Sequence, residues 1–148
     1  MRFITGIGKH TALPFQYPVL SFDRKSTHRQ TRMLSNLELV HCYDTTAMPR
    51  EERERIMLES AKENLLRMAF FGVTEMQSES QHVFQETFNV RFNVKFPQYN
   101  QANASEALQS LADIQVEEIR RLNHLDVELY TFAREVLSRR YKSMKIDN

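Results

Sequence analysis

The segment Met68-Ala-Phe-Phe-Gly-Val-Thr-Glu75 constrains the fold of this chain more than any other. Its mostly apolar start reads as a buried strand, Gly72 permits a sharp turn, and Thr74 opens a helix. Thr74 with Gln77 three residues later fits a capping box, in which the two side chains satisfy exposed amides at a helix start. A strand turning tightly into a helix N-terminus is how α/β proteins approach a phosphorylated group. An ordinary βα unit carries the same signature, so the segment points to a fold and not to a chemistry.

The flanking pattern is helical with short strands between. Residues 1–27, with Gly6, Gly8, Pro14 and Pro18, keep no period and read as an irregular lead. From Arg29 to Leu39 the positions Met33, Leu34 and Leu37 predict a helix, followed by a short strand at Leu39–Tyr43. Pro49 suits the first turn of a helix to Arg67 whose face carries Ile56, Ser60, Ala61, Asn64, Leu65 and Met68. The charged run Arg50–Arg55 is its solvated opening. A helix from Thr74 to about Thr87 directs Val83, Phe84 and Phe88 inward, and Val90, Phe92, Val94 and Phe96 then alternate with polar residues as in a half-buried strand. A polar loop follows, and then a long helix over Ile114–Arg140. The helix carries a stripe of Ile119, Leu122, Leu125, Leu129, Phe132 and Val136, and its basic last turn suits the helix dipole. The pattern is α/β, with helices outnumbering strands.

Composition excludes more than it selects. A chain of 148 residues is one domain at most, and three glycines argue against a repeat or low-complexity protein. A net charge of +1 gives no global pull toward nucleic acid or a membrane surface. The first 32 residues are locally basic, with Arg2, Lys9, Arg24, Lys25, Arg29 and Arg32 against Asp23, a balance that suits either a polyanion or plain solvation. Cys42 is the single cysteine, which rules out an intramolecular disulfide and reads as a small buried residue. There is no apolar run long enough to span a bilayer, and Lys9, His10, Pro14 and Gln16 interrupt any signal-peptide core.

Motifs for chemistry fail one by one. Gly6-Ile-Gly-Lys-His-Thr11 has Phe3 where a nucleotide P-loop needs glycine, and His10 where it needs Ser or Thr. His10, His28, His41, His82 and His124 show no metal-ligand spacing, so no metal site is expected. Ser60 and Ser105 lack a nucleophile elbow.

Several blocks, taken in order, are more specific. They are His28-Arg-Gln-Thr-Arg-Met-Leu-Ser-Asn-Leu-Glu-Leu-Val-His-Cys-Tyr43, Glu59-Ser-Ala-Lys-Glu-Asn-Leu65, Met68–Glu75, Thr87-Phe-Asn, Phe96-Pro-Gln-Tyr-Asn100 and Leu122-Asn-His-Leu-Asp-Val-Glu-Leu-Tyr130. In this order and spacing the chain resembles the C-terminal half of the heparan sulfate 6-O-sulfotransferases. The resemblance implies an α/β fold class: a partial P-loop-like sulfotransferase domain, helix-rich, with a few strands and a long C-terminal helix. It divides the chain into an unmatched lead (1–27), the C-terminal portion of the domain (28–142) and a tail (143–148).

It further implies sulfuryl transfer from 3′-phosphoadenylyl sulfate (PAPS) to the 6-hydroxyl of glucosamine in heparan sulfate, by type II Golgi membrane enzymes using no metal. A histidine base deprotonates the sugar hydroxyl while lysine and backbone amides stabilise the transferring group. In the family the base, the sulfate-gripping loop of the Lys-Thr-Gly-Gly-Thr-Thr type and the 3′-phosphate ligands lie upstream of the matched part. None has a counterpart here, so no catalytic residue is assigned and this polypeptide alone is expected to be inactive. The implied donor contacts are Phe96, Pro97 and Gln98. Just beyond, Ala102-Asn103 replaces the usual Thr-Arg, removing charge-assisted hydrogen bonds worth about 1.5–3 kcal/mol each. The rival reading is a non-catalytic, polyanion- or partner-binding remnant of the fold.

Overall fold

The computed structural model describes residues 27–42, 44–97 and 111–146. Five α-helices account for most of them: α1 (Arg29–Leu34), α2 (Arg50–Arg67), α3 (Gln77–Phe88), α4 (Asp113–Leu122) and α5 (His124–Ile146), with a 3₁₀ turn at Leu37–Val40 between α1 and α2.

The organising element is α5. At 23 residues it is about 34 Å long, enough to pack on two groups of partners in succession. Its first turns bury Leu125 and Leu129 with Val40, Met57, Leu58 and Ala61, joining α1, the 3₁₀ turn and α2 into one apolar cluster. Farther along, Leu137 meets Val73 and Val83, with Phe70, Phe71, Met76, Ala133 and Tyr141 packed around them. The predicted stripe is therefore correct at Leu125, Leu129 and Val136, and Leu137 is the fully buried residue that it missed. The expected single helix is broken at Asn123, whose Nδ2 donates to the Ile119 carbonyl at 2.9 Å. Asn123 also accepts from the His28 amide at 3.3 Å through Oδ1.

The helix predicted from Pro49 forms as expected, with Pro49 at the N-cap and Glu51 and Glu52 in a first turn that favours negative charge. Ser60, Ala61 and Leu65 are buried as the spacing requires. Ser60 Oγ accepts from the Asn36 amide at 2.9 Å, and Asn64 donates to the Leu34 carbonyl at 2.8 Å. These two polar residues on an apolar face thus satisfy the backbone where α1 ends.

The strands are the principal correction. Among the described residues none forms. Leu39–Val40 belongs to the 3₁₀ turn, and His41 and Cys42 follow in the left-handed region at φ 54° each. Tyr43 lies outside the described residues. Cys42 is exposed, not buried. The Phe70–Phe71 segment and residues 90–96 are also irregular. A strand needs a neighbour to complete its hydrogen-bond ladder, and neither segment finds one among the described residues. Val90, Phe92, Val94 and Phe96 are accordingly 38–75% exposed, not half-buried on one face.

The turn into α3 is built differently from the expected capping box. The helix begins at Gln77 with Met76 at its N-cap, where no side-chain cap hydrogen bond forms. Ser80 holds the turn instead: its Oγ accepts from the Val73 amide at 3.1 Å and lies 3.3 Å from the Val73 carbonyl. Gly72 has no positive φ. Its lack of a side chain serves close approach, since a Cβ there would sit 3.4 Å from both the Phe70 ring and Ser80 Oγ.

Candidate functional site

Two places join side chains from separate parts of the chain. The first is the segment after α3 that carries two of the three expected donor contacts. Gln81, on the second turn of α3, is buried at 6% exposure. Its Nε2 donates to the Val94 carbonyl at 2.9 Å and its Oε1 accepts from the Phe96 amide at 2.7 Å. One carboxamide thus clamps both sides of Lys95. Aromatic contacts carry the segment further: Phe92 stacks between Phe84, at 5.7 Å, and Phe96, at 4.9 Å. Phe84 in turn meets Phe70 edge-on at 5.0 Å. Phe96 ends this chain of rings with 41% of its surface exposed, and Pro97 beside it is exposed. Gln98 and the Ala102-Asn103 pair lie outside the described residues, as do the Gly6–Thr11 stretch and the basic residues before Ser26.

Gln81 was not among the residues singled out from the sequence. A glutamine on a helix is ordinarily solvent-facing, and nothing in the local pattern marks this one as buried.

The second place lies where α1, α2 and α5 meet. Asp126 caps α1 from outside: Oδ1 accepts from the Thr31 amide at 2.8 Å and the Thr31 hydroxyl at 2.7 Å, and Oδ2 accepts from the Gln30 amide at 3.1 Å. Thr31 is fully buried. His28, at the α1 N-cap with φ 53°, is buried beside it. His28 Nε2 lies 3.8 Å from Glu54 Oε1, and His124 Nε2 lies 3.4 Å from Glu54 Oε2. The two imidazoles meet edge-to-face at 4.8 Å. Burial, reinforced by the neighbouring His124, holds the His28 imidazole below its ordinary pKa and so favours its neutral form. These residues share no sequence motif; the fold brings them together, and spacing-based reasoning missed them.

Arginines secure the connections. Arg53 donates to the carbonyls of Val40, Cys42 and Asp44, which fixes the left-handed turn against α2. Arg140 donates to the Leu66 carbonyl at 3.0 Å and the Met68 carbonyl at 3.1 Å, capping α2 from α5, and stacks on Phe71 at 5.1 Å. Beside Met76, α5 presents Arg134, Arg139 and Lys142 with Glu135 around an open depression, a balance that favours anions.

The sulfotransferase family profile matches residues 15–133, and the chain belongs to that family. It is similar to heparan-sulfate 6-O-sulfotransferase 2 of Gallus gallus, with 46% identity over 120 residues, covering 81% of this chain and 29% of that enzyme. The Homo sapiens heparan-sulfate 6-O-sulfotransferase 2 shows the same identity over 20% of its length. Heparan-sulfate 6-O-sulfotransferase 1 of Cricetulus griseus is 41% identical over 117 residues, 79% of this chain and 29% of the enzyme. The resemblance read from the ordered blocks therefore holds, and the chain spans less than a third of the relatives' length. Among the described residues no helix is long and apolar enough to cross a membrane.

Proposed function

We infer that this chain is the part of a heparan sulfate 6-O-sulfotransferase that bounds the donor nucleotide, in an enzyme moving a sulfuryl group from PAPS to the glucosamine 6-hydroxyl. The observation that carries the reading is the Gln81 clamp. It anchors Val94 and Phe96 through their backbone and leaves the Phe96 ring and Pro97 exposed. An exposed aromatic ring on an anchored backbone suits stacking against a purine, and Gln98, two residues on in the sequence, carries a carboxamide of the type that makes polar contacts with a nucleotide. The open basic depression along α5 suits a sulfated acceptor. The Golgi is the matching location, where heparan sulfate is modified.

Catalysis requires a base at the sugar hydroxyl and donors at the transferring group. Phe96, Pro97 and Gln98 supply neither, and the resemblance puts the family's base and sulfate-gripping loop upstream of the matched residues, so the 148-residue polypeptide by itself is proposed not to turn over. Two measurements test this. Incubation with labelled PAPS and 6-desulfated heparan sulfate gives no product above a buffer control; turnover overturns the inactivity. Titration with 3′-phosphoadenosine 5′-phosphate, followed by amide NMR, shifts the resonances of Phe96 and Gln98 more than those of α1. Retention on heparin with no nucleotide response instead establishes the polyanion-binding remnant.

A further inference from the structure

The contact of His28 and His124 with Glu54 gathers three side chains of metal-ligating type from α1, α2 and α5. The Nδ1 of His124 lies 3.1 Å from the Arg121 carbonyl oxygen. A carbonyl only accepts, so Nδ1 carries the hydrogen and Nε2 is the nitrogen turned toward Glu54, free to donate to the carboxylate when the ring is protonated or to offer its lone pair to a cation. His124 Nε2 lies 3.4 Å from Glu54 Oε2. His28 approaches the same carboxylate at greater depth. Its side chain is 7% exposed, its Nε2 faces Glu54 Oε1, and its Nδ1 is buried without a hydrogen-bond partner. Two imidazoles and a carboxylate therefore converge, a donor set that a divalent cation can occupy in place of a proton.

We propose that His28, Glu54 and His124 form a three-ligand site for a zinc-class divalent transition ion that ties α1, α2 and α5 together. One donor atom from each of the three residues can be chosen so that all lie within 4.8 Å of one another. A tetrahedral zinc ion with bonds near 2.0–2.1 Å needs donors about 3.3 Å apart, a closure reachable by side-chain rotation. Two imidazole nitrogens with one carboxylate form a donor set that suits zinc and its neighbours, and excludes calcium and magnesium, which take oxygen. The His124 Nδ1–H to Arg121 carbonyl bond is the outer support that metal-bound histidines usually have, since it fixes the tautomer with Nε2 toward the ion. Arg50 holds Glu54 Oε1 at 2.7 Å but leaves Oε2 for the ion, and its own side chain is 76% exposed. Asp126 is already committed to Thr31 and Gln30, so it is not the fourth ligand. With His124 47% exposed, that position opens to solvent and gives the ion a way in.

The test uses the tag-free 148-residue chain, stripped with a chelator and titrated with zinc against a chromophoric competitor. One saturating equivalent is expected, with a concentration-dependent rise in the unfolding midpoint. His124→Ala removes an exposed ligand and should weaken binding at least about 100-fold, beyond the 10–100-fold loss typical of an outer-shell change. His28→Asn, which tolerates the left-handed N-cap, should do the same, whereas the exposed His41→Ala should bind like the parent. Cobalt loading should give visible bands of a four- or five-coordinate site, absent in His124→Ala. The absence of saturable binding by the parent overturns the site. So does zinc affinity that survives both His124→Ala and Glu54→Gln, with folding of the variants confirmed by circular dichroism.

Discussion

Replacing Asp126 should cost this protein more than any exposed carboxylate, because three donors from α1 end on it. Asp126 Oδ1 accepts from the Thr31 amide at 2.8 Å and the Thr31 hydroxyl at 2.7 Å, and both donors belong to a residue with no exposed surface. Losing a charged acceptor from a buried donor costs about 1.5–3 kcal/mol per bond. The Gln30 amide, bonded at 3.1 Å in an exposed position, recovers its partner from water and adds little. Asp126→Ala should therefore destabilise by about 3–6 kcal/mol, a large part of the 5–15 kcal/mol typical of a folded domain. Thr31→Val removes only the hydroxyl and should cost about 1–2 kcal/mol, since the Asp126 carboxylate keeps both amide donors. The Thr31→Val, Asp126→Ala cycle should show a coupling of about 1–2 kcal/mol. Urea unfolding followed by far-ultraviolet circular dichroism measures all three at constant m-value. Glu63→Ala on the exposed face of α2, where the contact with Arg67 is 3.7 Å, serves as the control and should stay within about 0.5 kcal/mol of the parent. If Asp126→Ala is no more damaging than Glu63→Ala, or the cycle shows no coupling, the idea that α1 is capped from α5 is wrong.

The remaining expectations test the other anchors. Gln81→Glu keeps the acceptor for Phe96 but loses the donor to Val94, and Gln81→Ala loses both; each should speed hydrogen exchange at Phe96 and cost about 1–3 kcal/mol, with Ala the worse. Arg53→Lys cannot reach three carbonyls at once and should lower the unfolding midpoint with a loss of about 1–2 kcal/mol. Gly72→Ala should cost less than about 1 kcal/mol because φ there is not positive and the new contacts are ordinary ones, whereas Gly72→Leu should clash with the Phe70 ring and Ser80. Lys62 bridges Glu59 at 3.2 Å and Glu128 at 2.9 Å, but both carboxylates are more than half exposed, so Glu128→Ala should change stability by under about 1 kcal/mol in urea titrations.

Local physics was legible in this sequence and long-range physics was not. Pro49 and the period of Ser60, Ala61 and Leu65 announce α2 because capping and helical spacing are properties of neighbouring residues. The burial of Thr31 and the convergence of His28, Glu54 and His124 depend on α5 crossing α1 and α2, which no window of sequence records. Asn123 reads as one polar residue in an amphipathic stripe, yet its side chain bonds the end of α4 and the start of α1, which breaks the helix. Cys42 was misread for a related reason: small and apolar by type, it sits in a left-handed turn held by Arg53 through its carbonyl. The donor contacts came from family resemblance and not from pattern. Of these, Phe96 and Pro97 fall on an anchored segment and Gln98 falls beyond the described residues.

The residues 90–96 show why a clean period of two does not by itself make a strand. Alternation tells which side chains would share a face, but a strand is defined by the ladder that satisfies its backbone. In this chain α3 supplies a fragment of that ladder from a side chain. Gln81 donates to the Val94 carbonyl and accepts from the Phe96 amide, the two bonds that a residue of a neighbouring strand would make on either side of Lys95. The mimicry covers one pair of backbone groups and leaves Phe92, Val94 and Phe96 40–75% exposed, so the segment is anchored without becoming a sheet. Phe92 packs on Phe84 and Phe96 on Phe92, while the outer surface of the segment stays exposed. On this argument the clamp and the exposure are one arrangement. A substitution at Gln81 should therefore disturb the placement of Phe96 before it disturbs the helical core, and exchange at Phe96 should rise well ahead of exchange at Leu129 or Leu137.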